Sequence, residues 1–464
     1  MANLPRKLGL ADSVFLVIGA VFGSGIFLTT GIMAASLPSP GLILVCWFFG
    51  GVYTFVGALI YAELGTLYPT SGGPYVYLKE AFGLKASFLY GWSFFWVIGG
   101  GGIAALAMGF SEYLGSLIPA LSSSRLLVVV HIGPVSASLR ANQASAIASI
   151  LILSSLNCAG VRSGARMQNF LAVVRIAALA GFAGLAFAIG NKTGLTNVGG
   201  FVPSGSLPAW TNFGAAFLAV IWTYDGWYAI NCAAEEVRDP GRTIPLALGL
   251  GTLAVTALYL LANIVYIISL PVARMSGIIR IGEASSAELF GPRGTFVFSV
   301  FIAVAILGCL SANILFCPRV SFAMARDGLF FRRLSFIHPR FRVPSTAIIA
   351  QMIWAGLLCL TGTYQGLIEY VAFALVLFFA ATGLAVLVMR RKAPGRPRPF
   401  RVWGYPLLPI GYILVNVAIG AAVILARPVQ AMAGAGLIAA GIPAYFFWKA
   451  ENRPAVVSAN GGRE

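Results

Sequence analysis

The sequence predicts an all-α membrane protein with about twelve transmembrane helices, and two observations carry this prediction. Of the 464 residues, 59% are hydrophobic and only 10% are charged, whereas about a quarter of the residues in a soluble domain are charged. Apolar runs long enough to cross a hydrocarbon core of about 30 Å recur along nearly the whole chain. Each run must be helical, because lipid cannot satisfy backbone polar groups.

The predicted spans follow one another with short connections. The first six cover residues 10–36, 41–68, 87–117, 143–160, 168–190 and 210–235. The other six cover residues 243–270, 293–325, 344–362, 366–390, 404–426 and 429–449. The residues before the first run are too few for a cleavable signal peptide, and the run itself is a full span without a small-residue cleavage site.

The net charge of +17 is distributed by side of the membrane. With the N-terminus inside, most of the 31 lysines and arginines fall on one side, which the positive-inside rule assigns to the cytoplasm. This distribution accounts for the excess of positive charge without a nucleic-acid partner. We therefore expect a multi-pass protein of the cell membrane, with both termini cytoplasmic.

The cysteines and histidines offer little for catalysis. All six cysteines fall inside predicted spans, and the two histidines lie in loops on opposite sides of the membrane. No disulfide framework and no metal site is indicated. We expect no cofactor, no bound metal and no catalytic residue, and therefore not an enzyme.

Gly23, Ser24 and Gly25 interrupt the first span near its middle. Glycine costs a helix about 1 kcal/mol relative to alanine, and serine competes for backbone hydrogen bonds. Taken alone, the triplet is better explained by close packing against a neighbouring helix.

A second interruption lies in the sixth span, about 200 residues downstream. The stretch "WTYDGW" places Thr223, Tyr224, Asp225 and Gly226 in mid-span, and a carboxylate at that depth is functional by default. Interrupted spans at matching positions of two halves mark inverted-repeat transporters. We therefore predict one transporter domain over residues 1–464, with repeats at 10–190 and 210–390 and two added spans at 404–449.

Two broken helices side by side offer a specific chemistry. The half-helix that follows Gly23 presents unpaired N–H groups and a partial positive charge, which suit a carboxylate. The carbonyls at the ends of the preceding half-helices suit an ammonium group. Together they form a receptor for a zwitterion such as the backbone of an amino acid. The candidate substrate site comprises Val21, Gly23, Ser24, Gly25, Trp222, Thr223, Tyr224, Asp225 and Gly226.

Four motifs resemble one known family. They are "GSGIF" (23–27), "YAELGTLYPTSGGPYVYLKEAFG" (61–83), "WTYDGW" (222–227) with "EEVRDPGRTIPLAL" (235–248), and "ARDGLFFRRLSFIHPRFRVP" (325–344). The chain is similar, over residues 10–449, to the L-type amino acid transporters of the amino acid, polyamine and organocation superfamily. The resemblance implies a leucine-transporter-like fold and sodium-independent alternating access, usually with obligatory exchange of amino acids.

The resemblance also implies roles for the two breaks. The substrate carboxylate would bind the amides of Ser24 and Gly25, and its ammonium would bind the carbonyls of Val21, Trp222 and Asp225. Trp222 resembles an aromatic lid over bound substrate.

Arg175 in the fifth span departs from the family pattern, which commonly has lysine there. In the family that cation occupies the space that sodium fills in sodium-coupled relatives. We expect Arg175 to bond carbonyls near Gly19 and polar groups such as Ser311 or Asn313. A guanidinium cannot give up its proton as an ammonium can, which favours transport independent of protons. Arg175 is alternatively a residue that extends to the membrane surface, because only about two turns precede it in the predicted span.

Asp225 leaves the substrate class open. We favour neutral L-amino acids, because relatives with the same "YDGW" tetrapeptide resemble neutral amino acid exchangers and Asp225 can pair internally or cap the second half-helix. The cost of leaving a carboxylate unpaired beside a neutral side chain limits this preference. The alternative is a cationic or broad-range amino acid or polyamine permease in which Asp225 recognises the cation. A transporter-like amino acid sensor is a third possibility.

Glu63 and Glu235 lie near the cytoplasmic ends of the second and sixth spans, close to arginine-rich loops. They would form a cytoplasmic gate by pairing across it, or else belong to a solvated rim, since exposed pairs contribute only about 0 to 1 kcal/mol. Animal members of the family pair with a glycoprotein through a cysteine between spans three and four. Residues 118–142 contain no cysteine, so we expect no disulfide-linked heavy chain.

Overall fold

The computed structural model describes residues 4–132, 135–189, 210–361, 364–426 and 428–451. Nearly all regular structure in these residues is helical, and nine of the described helices are long and apolar enough to cross a bilayer. Two further apolar helices are shorter, Asn212–Tyr224 and Ser345–Thr361. The 18-residue helix Ala141–Cys158 belongs to neither group and is counted below as span 4. The predicted all-α membrane fold is confirmed.

Six spans form the first part of the chain, and spans 1, 3 and 6 are interrupted. Span 1 begins after Gly9, whose amide donates to the carboxylate of Asp12 (2.9 Å). Span 2 is capped by the hydroxyl of Ser39. The spans are Leu10–Val21 with Gly25–Ala34 (span 1), Pro40–Leu67 (span 2), Leu84–Ser93 with the π-helix Phe94–Gly99 and Gly100–Leu117 (span 3), Ala141–Cys158 (span 4), Val161–Ile189 (span 5), and Trp210–Tyr224 with Ala229–Cys232 (span 6).

Six further spans complete the bundle, and span 8 is kinked. Gly291 has φ 67° inside that span, and Pro292 follows it, so the residues from 281 to 290 form a separate helical arm. The spans are Pro240–Ser269 (span 7), Ile281–Phe316 with Pro318–Arg326 (span 8), Ser345–Thr361 (span 9), Tyr364–Lys392 (span 10), Leu407–Ala426 (span 11) and Pro428–Glu451 (span 12).

Several short elements in the connections were not predicted. An antiparallel hairpin, Leu126–Ile132 with Val135–Arg140, lies between spans 3 and 4. It is a local exception to the all-α prediction. The others are the helices Pro74–Phe82 and Val272–Met275 and the 3-10 turns Pro119–Leu121, Ala234–Glu236 and Arg332–Ser335.

Span 5 begins earlier than predicted, at Val161 instead of residue 168. Arg175 therefore lies about four turns into its helix at 3.6 residues per turn. This depth, and an exposed fraction of 0%, exclude the alternative in which Arg175 extends to the membrane surface. The earlier start escaped prediction because half of residues 161–168 have polar side chains, two of them arginines.

The core lies along spans 1, 3 and 8. Their most apolar stretches are 89%, 89% and 83% buried inside the protein, against 22% for span 12. Spans 1 and 8 therefore face other protein groups rather than lipid, and the polar interruptions of span 1 find partners there.

The N-terminal segment binds beside the end of span 6. The amides of Lys7 and Leu8 donate to the carbonyl of Glu236 (2.8 and 2.9 Å), and the amide of Arg238 donates to that of Leu8 (2.9 Å). Leu4 and Leu8 are buried. We call this side of the molecule the basic face; it carries the start of span 1 and the connections 68–83, 159–160, 233–239, 327–344 and 393–406.

Candidate substrate site between two broken helices

The first break lies where the sequence predicts it. The helix ends at Val21, Phe22 leaves the helical conformation (φ −74°, ψ 82°), and a second helix begins at Gly25. The last carbonyls of a helix and the first amides of the next have no partner within their own helix. The break therefore presents carbonyls from one half-helix and amides from the other, inside the core of the protein.

Arg175 fills the space beside this break. Its Nη1 donates to the carbonyls of Gly19 (3.1 Å) and Phe22 (3.0 Å), and more weakly to that of Ala305 in span 8 (3.4 Å). Its Nε donates to the carbonyl of Leu171 (2.9 Å). One fixed cation thus joins span 5 to the unwound part of span 1 and to span 8.

Gln168 completes the bonding of this guanidinium. In the orientation that its neighbours require, its amide oxygen accepts from Nη2 of Arg175 (3.0 Å), and its nitrogen donates to the carbonyl of Gly308 (2.9 Å). The contact with Gly19 agrees with the expectation. The expected contacts with Ser311 and Asn313 are absent from the bonds of Arg175 in the described residues. The guanidinium meets span 8 nearer its start, at Ala305, and Asn313 donates to the carbonyl of Cys309 instead (3.0 Å).

Two further side chains hold the remaining carbonyls of the first break. The Sγ of Cys309 donates to the carbonyl of Ala20 (3.0 Å). The hydroxyl of Tyr259 in span 7 lies 2.8 Å from the carbonyl oxygen of Val21 and 3.0 Å from that of Thr223. Because Thr223 belongs to the second break, Tyr259 connects the two breaks directly.

The second break is a tight turn in span 6. The amide of Asp225 donates to the carbonyl of Trp222 (3.0 Å), and the amide of Ala229 to that of Gly226 (2.9 Å). Gly226 has φ 96°, and a Cβ at this position would lie 2.6 Å from the carbonyl oxygen of Ala20. Only glycine fits there, and its smallness lets the two breaks touch.

Asp225 lines the cavity between the breaks. Its Oδ1 is buried and has no hydrogen-bond partner among the described residues. Buried polar atoms are nearly always satisfied, so this oxygen stands out as an unsatisfied acceptor in the lining of the described cavity.

Thr223 is packed between the two breaks. Its hydroxyl donates to the carbonyl of Ala219 (2.9 Å) and lies 2.9 Å from the hydroxyl of Thr29. A Cβ on Gly25 would come within 2.6 Å of the Thr223 hydroxyl. Gly25 is therefore required for the approach of the second half of span 1 to span 6.

The cavity brings together most of the predicted site residues. Tyr224 and Gly226 are the exceptions, since neither is among the cavity-lining residues. The hydroxyl of Tyr224 donates to the carbonyl of Trp47 in span 2 (3.3 Å), and Gly226 contacts Ala20 instead. Trp222 lines the cavity and is half-buried. The lining consists of Ala20, Val21, Gly23, Ser24, Gly25, Phe94, Ile98, Gly99, Gly102, Leu106, Trp222, Thr223, Asp225, Tyr228, Cys309, Asn313, Phe316 and Cys317.

Sequence reasoning missed the side chains that hold the first break from outside. Gln168, Tyr259 and Cys309 stand out little in their spans, because a tyrosine or a thiol is common in apolar helices. The sequence does not show which of these side chains are buried. Burial would have predicted a hydrogen-bond partner for Tyr259, since a buried tyrosine hydroxyl normally requires one.

Glu63 on the basic face is buried and paired. It binds Arg390 in bidentate geometry (2.7 and 3.0 Å), lies 3.3 Å from Nε of Arg398, and accepts from the amide of Val402 (2.7 Å). Its exposed fraction is 2%. This carboxylate therefore does not belong to a solvated rim, and it connects span 2 to span 10 and to the next connection.

The acidic pair that follows span 6 is likewise bound. Glu235 accepts from Arg326 at the end of span 8 (2.9 Å) and from the amide of Leu4 (2.9 Å). Glu236 is fully buried and bonds to Arg319 (2.6 Å), also in span 8. These bonds join span 6 to span 8 and to the N-terminal segment on the basic face.

Another ion pair on the basic face is partly exposed. Lys79 binds Asp327 (2.8 Å) with about a quarter of each side chain exposed, and the hydroxyl of Tyr75 donates to the same carboxylate (2.8 Å). Burial, and the carboxylate of Asp327, raise the pKa of Tyr75 well above its usual range. The tyrosine therefore stays protonated and remains a hydrogen-bond donor.

Comparison with known proteins agrees with this architecture. The sequence profile of the amino acid permease family matches residues 8–447. The serine/threonine exchanger SteT of Bacillus subtilis is 31% identical over 455 residues, which cover 96% of this chain and 98% of that protein. The human b(0,+)-type amino acid transporter 1 is 30% identical, covering 92% and 84% of the two chains. The mouse large neutral amino acids transporter small subunit 2 is 29% identical, covering 96% and 82%.

These matches extend over nearly the whole length of each relative and include both breaks. They confirm the resemblance found in the motifs, and they identify a transporter and not an enzyme. The chain belongs to the amino acid permease family, as an L-type amino acid transporter embedded in the membrane by multiple spans.

Proposed function

We propose that the protein is a sodium-independent exchanger or facilitator of neutral L-amino acids that works by alternating access. The observation that carries this proposal is the guanidinium of Arg175, fully buried and bonded to the carbonyls of Gly19, Phe22 and Ala305. A cation built into the protein occupies the place where a coupling ion would join span 1 to span 8. Arginine holds its proton far more tightly than lysine does, so neither sodium nor proton binding is required.

The substrate backbone is expected to bridge the two breaks. Its carboxylate would accept from the amides of Ser24 and Gly25, at the positive end of the helix Gly25–Ala34. Its ammonium would donate to the carbonyls of Val21, Trp222 and Asp225. The first two already accept one bond each, but a carbonyl oxygen has two lone pairs and can accept a second.

The cavity beyond the breaks supports a small neutral side chain. Gly99 and Gly102 contribute no side-chain volume on span 3, and Ile98, Leu106 and Phe316 are apolar. Asp225 is the one acidic side chain in the lining of the described cavity. A hydroxyl or amide on the substrate would satisfy its free oxygen. One of the relatives is named a serine/threonine exchanger.

A second candidate is transport of cationic amino acids, or of polyamines. Oδ1 of Asp225 is buried without a partner, and a cationic substrate side chain would supply one. A charge-assisted bond of this kind is about twice as strong as a neutral one. A third candidate is an amino acid sensor, in which the protein would bind amino acids but not transport them.

Counterflow in proteoliposomes separates these candidates. Vesicles loaded with unlabelled serine, alanine, leucine, arginine or putrescine are given a trace of the labelled compound, with and without imposed sodium and pH gradients. We expect accumulation of the neutral amino acids regardless of either gradient. Preferential counterflow of arginine that is lost in Asp225→Asn would establish the cationic candidate, and binding without any counterflow would establish a sensor.

A lysine at position 175 tests the role of the fixed cation. Arg175→Lys restores a group that can release its proton. We expect residual transport by this variant to depend on pH more steeply than transport by the native protein. Accumulation by the native protein only under an imposed pH gradient would contradict the uncoupled mechanism.

The proposal includes the organisation of the chain. Residues 10–190 and 210–390 would form the inverted repeats, with span 1 and span 6 at corresponding positions. The basic face would lie in the cytoplasm of the cell and close the site from that side through Glu63 and Glu235. The absence of cysteine from residues 118–142 supports function without a disulfide-linked heavy chain. Reagents that label single introduced cysteines from outside intact cells would test the orientation.

A further inference from the structure

The connection between spans 8 and 9 carries a compact structure on the basic face. We call residues 331–342 the basic turn. Leu334 and Val343 anchor it to the protein and are buried, and the hydroxyl of Thr346 donates to the carbonyl of Arg333 (2.6 Å). The segment is therefore held in place at its two ends.

Aromatic and basic side chains alternate along the basic turn. Phe331, Phe336 and Phe341 are 52%, 47% and 37% exposed, which is unusual for large apolar side chains outside a binding surface or a membrane contact. No acidic residue occurs between Gly328 and Pro344. Its arginines are Arg332, Arg333, Arg340 and Arg342.

His338 fixes the tip of the basic turn. Its Nδ1 accepts from the amides of Arg340 (3.2 Å) and Phe341 (3.3 Å), and its carbonyl accepts from the amide of Arg342 (2.8 Å). Its own amide donates to the carbonyl of Val343 (2.9 Å). The arginines of the tip are thus presented on an ordered backbone, which lowers the entropy cost of binding a ligand.

Three of the four arginines of the basic turn, Arg333, Arg340 and Arg342, form no ion pair with a carboxylate in the part of the chain that the structure describes. The nearest acidic residue in sequence, Asp327, is bound to Lys79. Three guanidinium groups therefore remain available to an anion from outside the protein.

The basic turn also lies at the height of a membrane surface. Span 9 begins at Ser345 and has 17 residues, about 25 Å at 1.5 Å per residue, which is close to the thickness of the hydrocarbon core. Aromatic rings favour the interface between lipid and water, and arginine binds phosphate in bidentate geometry.

We propose that the basic turn binds the headgroup of an anionic phospholipid, with its phenylalanines inserted among the neighbouring acyl chains. This proposal does not depend on the identity of the substrate, because the basic turn includes no residue of the cavity. It follows the end of span 8 that lies opposite the kink at Gly291. Binding there would fasten span 8 at the end that carries Arg319 and Arg326, the partners of Glu236 and Glu235.

Native mass spectrometry of the full chain tests the proposal directly. Purified protein in detergent is mixed with phosphatidylglycerol or phosphatidylcholine carrying identical acyl chains, and the lipids retained per protein are counted. We expect several-fold higher retention of phosphatidylglycerol. Arg340→Gln/Arg342→Gln should reduce this preference at least about threefold, since two bidentate contacts are lost.

A matched variant controls for net charge. Arg238 and Arg242 are exposed on the same face but lie outside the basic turn, so Arg238→Gln/Arg242→Gln removes the same charge and should keep the preference. Phe336→Ser should weaken retention of both lipids, and counterflow activity shows that each variant is folded. Equal loss in the two arginine variants, or equal retention of the two lipids by the native protein, would overturn the proposal.

Discussion

The two helix breaks are stabilised in opposite ways. In span 1, four consecutive carbonyls from Gly19 to Phe22 each accept from a side chain of another span. In span 6, the turn after Tyr224 bonds largely to itself, through Asp225 and Ala229. The first break is therefore held mainly by other spans, and the second mainly by its own backbone, apart from the bond from Tyr259 to the carbonyl of Thr223.

This difference indicates a division of roles. A break held by spans 5, 7 and 8 responds to any movement of those spans, because its carbonyls have no internal partners. A turn whose backbone hydrogen bonds are internal can move as a unit. It can carry a binding group with it, here the carboxylate of Asp225, whose Oδ1 has no partner in the described residues. We infer that the first break couples substrate binding to helix movement, and that the second contributes to selectivity.

Removal of Arg175 should have the largest effect. Arg175→Met leaves the carbonyls of Gly19, Phe22 and Ala305 without this donor, and each buried unsatisfied group costs about 1 to 3 kcal/mol. We expect counterflow to fall by more than roughly 100-fold and the melting temperature in detergent to drop. Arg175→Lys should recover part of both. A native rate in Arg175→Met would show that the first break is held without it.

Gly226→Ala should nearly abolish transport by forcing the breaks apart. The new Cβ would meet the carbonyl of Ala20, and alanine disfavours φ 96°. The two effects together should cost about 3 kcal/mol, which weakens substrate binding by roughly 100-fold. Gly249→Ala is the control, because a Cβ there meets nothing within 4 Å. Substrate affinity can be measured by scintillation proximity. Equal affinity in the two variants would contradict direct contact between the breaks.

Tyr259→Phe tests the hydroxyl that the breaks share. One hydrogen bond contributes about 1 kcal/mol, so we expect roughly fivefold weaker transport, seen mainly as a higher KM. Tyr266→Phe is a matched control on the same helix, because the buried Tyr266 hydroxyl has no partner in the described residues. It should stay within about twofold of the native protein. Similar values for both variants would remove Tyr259 from the connection.

The smallest effect is expected for Cys309. A thiol is a weak donor, and Cys309→Ala loses its bond to the carbonyl of Ala20 and a long contact from the amide of Asn313 (3.6 Å). That amide keeps its shorter bond to the carbonyl of residue 309 (3.0 Å). Uptake should remain within about threefold of the native rate. A larger loss, not shared by Cys359→Ala, would mean that all four carbonyls of the first break matter equally.

The sequence predicted the spans and both breaks because hydrophobic length and mid-span glycine are local signals. Gly23 to Gly25 and Thr223 to Gly226 stand out within their own helices. A charge inside an apolar run also predicted that Arg175 bonds within the protein. The start of its helix at Val161 then removed the alternative in which the side chain extends to the membrane surface.

The partners of the breaks could not be predicted, because they depend on the rotation of one helix against another. Tyr224 lies next to Asp225 in sequence but points to span 2. Tyr259 is 36 residues from Thr223 in sequence, yet its hydroxyl reaches both breaks. Arg175 likewise contacts Ala305, two turns before the predicted Asn313. The amino-acid composition of spans 5 and 8 does not determine the register of one against the other.

The first residues of the chain have a practical consequence for anyone who modifies this protein. Leu4 and Leu8 are buried, and the amide of Leu4 binds Glu235 beneath the cavity. A purification tag or fluorescent reporter joined immediately before Leu4 would press on the ion pairs of the basic face. The better attachment point is beyond Glu451, where the last helix ends on the periphery of the bundle.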